Sequence, residues 1–423
     1  MLNSRAVILI AVFFYLSSCN VSTKQDSLIN TSHLEHLYQE IDINGTKDLG
    51  TVWIYSDAPD YPLVNDVDEG FTCVDDVSRA LVFYCRQYKS FPLKKDLNKI
   101  RSLTSFVLYM QADNGYYYNF LFPDNGINKV HPNSKSVPNF WSWRAFWALT
   151  EMTLLDAPEL KDLENQVQAH LEKLLSKIDL LFSAENEALE IDGIEIPWIL
   201  GEYGGDQVAV IMIALANYYQ SSRSPVIENL LEKLGETLLK AQHGDQLRPP
   251  YYAFLSWRNI WHAWGNNQAY ALLYTGRILD NKKFINAGLN EVKYFYPFCM
   301  EQNYLSDFTI AIHNDSILML NVHSFPQIAY GIRPMIFASL EAYTITGEEA
   351  YATQAGELAL WYFGSNPAKQ IMYDPSTGRT FDGVNSNSMS NFNSGAESTI
   401  EALLSLQAIE ANAIAKQYVL LKL

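Results

Sequence analysis

The sequence predicts an all-α fold, an (α/α)6 toroid in which six helical hairpins set an inner ring of helices inside an outer ring. Three observations predict it. Polar clusters opening strongly apolar helical stretches recur at Asp75, Asn139, Gly204, His262, Pro326 and Ala396, with spacings of 64, 65, 58, 64 and 70 residues. Such a period is too long for the common solenoids and suits two helices plus their loops. Between successive openings lies one further amphipathic segment, as at Leu93–Met110, Val226–Gln242, Phe284–Cys299 and Glu348–Phe363. Connections alternate as well. They are short at Ser90–Pro92, Leu155–Pro158 and Ser221–Pro225, and long at Ala112–Pro138, Ser183–Tyr203, His243–Trp261, Glu301–Phe325 and Gly364–Gly395. The long links all fall at one end of the barrel, beside the N-termini of the inner helices, and loops of that length in a compact domain are usually functional.

Taken in order, the chain opens on an export signal. Arg5 precedes the apolar run Ala6–Leu16, too short to span a bilayer, and Leu16-Ser17-Ser18-Cys19 resembles a lipobox with Cys19 as the lipidated residue. Residues 1–18 read as signal peptide, 19–32 as a polar tether and 33–423 as the toroid domain, so contact with a membrane is expected only through the lipid anchor. The first inner helix begins at DDVSRALVFY and the second at NFWSWRAFWAL. Leu160, Leu163, Val167, Leu171, Leu174, Ile178 and Leu181 then make one apolar stripe opposed by Lys, Glu and Gln, the pattern of an outer helix. Val208–Ala216 is apolar all round and belongs inside. The helices opening at His262, Pro326 and Ala396 complete the inner ring. The twelfth helix has two candidate sources, the short AIAKQYVLLKL after Asn412 and the segment Leu28–Ile41.

Composition narrows the function. With 48% hydrophobic and 18% charged residues the chain is globular, and a net charge of −17 repels phosphate backbones, which excludes nucleic acid as a partner. After Cys19 only Cys73, Cys85 and Cys299 remain, without C-x-x-C spacing, so neither a disulfide framework nor a zinc site is indicated. No nucleotide, metal or nucleophile-elbow signature occurs, and no cofactor is expected. What stands at the long-loop end is carboxylates and aromatic rings. That combination points to sugar chemistry, in which two carboxylates flank a glycosidic bond and flat rings hold the sugar faces.

The candidate carboxylates are Asp75 and Asp76, then Glu202 and Asp206 around a Gly pair, then Glu397. Each also has a structural reading. Thr72-x-x-Asp75 and Ser394-x-x-Glu397 match capping boxes, and Asp206 is placed to cap the helix that follows it. Asp76 and Glu202 are the expected working pair, facing each other across the lumen at the ~6.5–9.5 Å of an inverting hydrolase. Asp206 and Glu397 would then orient water or hydroxyls. Trp141, Trp143, Tyr203, Trp257, Trp261, His262, Trp264, Asn267 and Asn393 are candidate sugar contacts, with Arg144 and Arg333 pairing acids or binding an anionic sugar.

Asp75-Asp76 with Arg79-Ala80-Leu81, and Gly395-Ala-Glu397-Ser-Thr-Ile, resemble motifs of the six-hairpin glycosidase-like superfamily, most closely a toroid module also fused to some bacterial glycosyltransferases. That module usually reads D-D-N-A-R-A-L and N-Q-G-A-E-S-T, where this chain has Val77-Ser78 and Phe392-Asn393-Ser394. The resemblance implies a carbohydrate-active toroid with Asp76 and Glu397 marking its site. The expected function is a glycoside hydrolase acting on an oligo- or polysaccharide. The alternatives are a polysaccharide lyase, using Tyr116–Tyr118, Tyr251-Tyr252, His262 and Arg333 on a uronate, and a non-catalytic glycan-binding lipoprotein.

Overall fold

A computed structural model describes residues 27–182, 188–197, 204–314 and 316–423. Cys19, Glu202 and Tyr203 lie outside the described residues. Six hairpins are present. They pair α1 (Val74–Ser90) with α2 (Lys94–Tyr109), α3 (Phe140–Met152) with α4 (Lys161–Phe182), and α5 (Gly205–Ser222) with α6 (Pro225–Lys240). The others pair α7 (Gln268–Leu279) with α8 (Lys282–Asn290), α9 (Ala329–Thr346) with α10 (Glu349–Ala359), and α11 (Ala396–Glu410) with α12 (Ala413–Leu420). Each odd-numbered helix packs on the next, and α11 packs back on α1, which closes the inner ring.

Burial follows the two kinds of helix pattern. From Val208 to Ala216 every residue of α5 is buried, as an inner-ring helix flanked on all sides requires. Among the described side chains of α4 the stripe Leu163, Val167, Leu171, Leu174 and Ile178 is buried, with charged residues outward. A polar belt crosses the C-terminal halves of the inner helices. Arg86 on α1 bonds Glu151 on α3 at 2.8 Å, Asn217 on α5 donates to Glu151 at 3.1 Å, and Tyr274 on α7 donates to Asn217 at 2.7 Å. These largely buried groups satisfy one another between the inner helices, as a low-dielectric surrounding demands.

One open choice of the sequence reading is resolved and one boundary differs from it. The outer ring is completed by α12, whereas Leu28–Ile41 yields only a short helix, Ser32–Leu37, followed by a strand, Tyr38–Ile43, paired antiparallel with Thr46–Val52. The expected tether also ends earlier than residue 32. Leu28 is buried and its N–H meets Glu410 at 2.5 Å, while the Asn30 N–H donates to the Tyr373 hydroxyl at 2.8 Å, so these residues dock on the ring. The long links are not bare loops either. They carry antiparallel hairpins, the longest being Asp307–His313 with Ser316–His323, which adds to Ile260–His262 in a three-stranded sheet.

In α8 the helix continues through a π-helical turn, Glu291–Phe295, into Tyr296–Glu301. Glu291 in this turn is fully buried and accepts the Phe254 N–H at 2.8 Å, with no cation beside it. Burial pushes its carboxyl up to about 8. The unfolded chain gives up that proton near the ordinary Glu value and the folded chain only near 8, so stability falls as pH rises between the two. Glu291→Gln keeps the acceptor without the ionisation. Melting temperatures from pH 5 to 9 are expected to show the wild type losing stability relative to this variant, by on the order of several kcal/mol at the alkaline end.

Candidate active site

A cleft of about 470 Å³ opens at the N-terminal ends of the inner helices, where the long links meet. Its floor is a knot of charge built around Arg79. One turn of α1 places Asp75 and Asp76 four and three residues before Arg79, on the same face. The Arg79 guanidinium bonds Asp76 Oδ1 at 2.6 Å through Nη1, with Asp75 Oδ2 3.7 Å away, and bonds Glu397 Oε2 at 2.7 Å through Nη2. Its Nε lies 3.0 Å from Glu401 Oε1, an ion pair not aligned as a hydrogen bond. Glu397 and Glu401 are themselves one turn apart on α11. Arg144 on α3 pairs with Asp75, and Arg333 on α9 pairs with Glu401. The Tyr330 ring sits beneath all three guanidiniums, whose carbons lie 4.9, 5.0 and 5.3 Å from its centroid, and its hydroxyl accepts from Arg144 at 2.8 Å.

None of these three acids caps its helix through its side chain. Thr72 Oγ1 accepts the Val52 N–H instead, and the cap of α1 is Cys73, whose Sγ accepts the Asp76 N–H at 3.4 Å and lies 3.2 Å from Asp76 Oδ2. The cap position of α11 is Gly395, without a side-chain bond, which leaves the Glu397 carboxylate directed to Arg79. The capping-box readings of Asp75 and Glu397 therefore fail.

Their environments pull them apart electrostatically. Burial is the largest influence on Asp75 and pushes its carboxyl upward, but the Arg144 and Arg79 guanidiniums together outweigh it, and Asp75 stays below the ordinary carboxylate range. For Asp76 and Glu397 burial wins over Arg79, and both are raised. Exposure separates them further: the Glu397 side chain is 43% accessible, Asp75 20% and Asp76 5%. A narrower extension of about 190 Å³ runs past Glu397 to Asp382, which accepts the Gly395 N–H at 3.0 Å and the Ser398 hydroxyl at 2.6 Å.

The walls are aromatic and amide. Tyr55, Asn119, Asn139, Phe140, Trp141 and Trp264 line the cleft with Arg144 and Glu69. Trp264 is held by local backbone chemistry. Pro334 cannot supply the helical N–H to the Tyr330 carbonyl, which accepts the Gly265 N–H at 3.3 Å instead. Gly265 has φ +68°, and a Cβ there would lie 2.8 Å from the Tyr330 hydroxyl, so only glycine lets this loop close on α9.

Several expected contacts are placed elsewhere. Trp143 is buried and donates to Gln207, and Trp261 is buried against Phe295 and Phe308. Arg333 is buried on Glu401 and Asn267 is bonded to Arg333, and neither lines the cleft. Asp206 is buried with Oδ2 3.2 Å from His262 Nε2, and neither lines the cleft. Trp257 stands under the Arg258 guanidinium outside the cleft, and Asn393 accepts the Ala58 N–H at 3.0 Å. In each case a stronger partner nearby captures the polar or aromatic group. Arg79, Tyr330 and Glu401 form the centre of the site; the sequence offers Arg79 only within its motif and Tyr330 only among the rings at a helix opening, and Glu401 not at all. Their signal was the i, i+3 and i, i+4 spacing to Asp75, Asp76, Arg333 and Glu397.

No family model matches the sequence. No curated protein matches it either. Solved structures do resemble the fold. A sugar epimerase from a ruminal bacterium superimposes with a TM-score of 0.63 at 11% identity, covering 92% of this chain and 97% of that one. The cellobiose 2-epimerase of Bacillus thermoamylovorans B4167 gives 0.61 at 11% identity over 90% and 95% of the two chains. A family 76 glycoside hydrolase from a bovine Bacteroides thetaiotaomicron strain gives 0.57 at 9% identity over 91% and 79%. At these identities the likeness is one of architecture: the chain is a six-hairpin (α/α)6 toroid.

Proposed function

We propose that the protein is a carbohydrate-active enzyme, a glycoside hydrolase, with Glu397 as general acid and Asp75 as the ionised carboxylate opposite it. One observation carries the reading: a single guanidinium, Arg79, gathers carboxylates from the first and last hairpins at the floor of an aromatic cleft, and the surroundings hold Asp75 low and Glu397 high. Divergent environments of this kind divide acid from base in carboxylate catalysis. The raised, accessible Glu397 donates its proton to the leaving oxygen. Ionised Asp75 stabilises the developing positive charge or activates water. Asp76 holds Arg79 between them. The likeness to sugar epimerases and a glycoside hydrolase supports a carbohydrate substrate.

The lyase alternative needs a guanidinium open to a uronate. Among the described residues of the cleft, Arg79 and Arg144 are both engaged by carboxylates, which argues against it. Export with a lipid on Cys19 belongs to the same proposal, supported by the charged, apolar and lipobox order of residues 5–19. Among the described residues no helix is long and apolar enough to cross a membrane.

The test is to incubate the protein with neutral and acidic glycans and weigh the products. Fragments carrying an added water are expected. Fragments with a double bond would mean a lyase, and isomeric products of unchanged mass would mean an epimerase.

A further inference from the structure

Beyond Trp264 lies a second pocket of about 210 Å³, separated from the main cleft by the Trp264 ring and Ile328, which line both. We propose that it is a subsite for an aryl substituent carried by the glycan; this rests on the carbohydrate reading of the cleft. Leu305, Ile332, Met335 and Pro326 supply its walls.

Of the polar side chains that line it, the amide and the carboxylate are already engaged, which leaves the Tyr304 and Ser306 hydroxyls. The Gln327 amide donates to the Asn303 and Ser324 carbonyls at 2.9 Å each and accepts from the Trp361 indole at 3.0 Å. Asp307 pairs with His323 at 2.7 Å. A sugar ring placed here would desolvate its hydroxyls with few partners to replace water, whereas an apolar group gains from burial. The size is suitable, since an apolar cavity of ~150 Å³ already accommodates benzene.

Trp264 is built as a fixed divider. Its ring is stacked on His262 with centroids 3.7 Å apart and planes 7° apart, although the side chain is 42% exposed. His262 is pinned on both sides, Nε2 by Asp206 Oδ2 at 3.2 Å and Nδ1 by the Trp264 carbonyl at 2.8 Å. Asp206 and His262 are thus positioning residues for the platform. The pair sits behind the ring and holds its plane between the two spaces.

Calorimetry with phenyl and methyl thioglycosides, matched sugar for sugar, tests the assignment without turnover. The phenyl compounds are expected to bind at least tenfold more tightly. That advantage should fall to within twofold in Met335→Trp, which fills the pocket, and in Trp264→Ala, a substitution at an exposed ring that keeps the fold if the larger residue does not. Equal affinities of phenyl and methyl compounds in the wild type would overturn the subsite. Binding of free phenol that is lost in Trp264→Ala, with no thioglycoside bound, would keep the apolar pocket and reject the carbohydrate reading. No binding of any probe would overturn both.

Discussion

Glu397→Gln and Asp75→Asn are each expected to lower turnover by on the order of 10³-fold with the circular dichroism spectrum close to wild type; the melting transition should hold in Glu397→Gln and fall in Asp75→Asn, which leaves the buried Arg144 without its carboxylate. Both side chains are partly exposed, so an isosteric amide avoids leaving a buried hole. The pH profile separates their roles. Burial raises Glu397, so its proton persists to a higher pH than for an ordinary glutamate, and activity should fall on the alkaline side as that proton is lost. Asp75, held low by Arg144 and Arg79 against burial, remains ionised well into acid and sets the acidic limb. Full activity in both variants would reject the assignment. Loss of the alkaline limb in Asp75→Asn rather than in Glu397→Gln would exchange the two roles.

Replacing the central cation has the larger effect on the fold. Arg79→Met is expected to destabilise by about 3–5 kcal/mol, because the buried Asp76 loses its ion-pair partner and the buried Glu401 is left with Arg333 alone. The loss should depend on pH in a defined direction. Burial already raises Asp76 and Glu397 and Arg79 opposes it, so without Arg79 these two carboxyls titrate further above their unfolded values; the variant recovers stability as pH falls and they protonate, and loses it as pH rises. Thermal melts at pH 4.5 and 8 read this directly. A uniform loss at both would mean that packing rather than charge is what Arg79 contributes. Arg79→Lys should not restore the wild type, since a single ammonium cannot meet Asp76, Glu397 and Glu401 in the planar geometry of the guanidinium.

Much of the site was legible as residue types and much less as contacts. The motifs DDVSRAL and GAESTIE hold the central group, because Asp75, Asp76 and Arg79, and likewise Glu397 and Glu401, are separated by single helical turns. That Arg79 of the first hairpin reaches Glu397 of the last was not legible, since it depends on the ring closing. The tryptophans at the second and fourth openings were equally prominent in sequence. Only Trp141 and Trp264 line the cleft, whereas Trp143 and Trp261 turn into the core, a choice made by which face of each element meets its neighbour. The hairpin Asp307–His323 shows why the strands were not legible beside the helices. Phe308 and Ile310 alternate with outward residues over a stretch too short to compete with the helical period around it.

By itself the sequence determined the local terms: which segments are helical, which of them are apolar all round, and that acids and aromatic rings gather where those helices begin. These follow from periodicity and composition within one element, where neighbours along the chain are neighbours in space. The tertiary structure decided which acids share a cation, which are pushed up or held down, and which rings face the cleft. Those outcomes depend on desolvation and on charges more than 300 positions apart, as with Arg79 and Glu397 at a separation of 318 residues, and such terms exist only once the ring has closed.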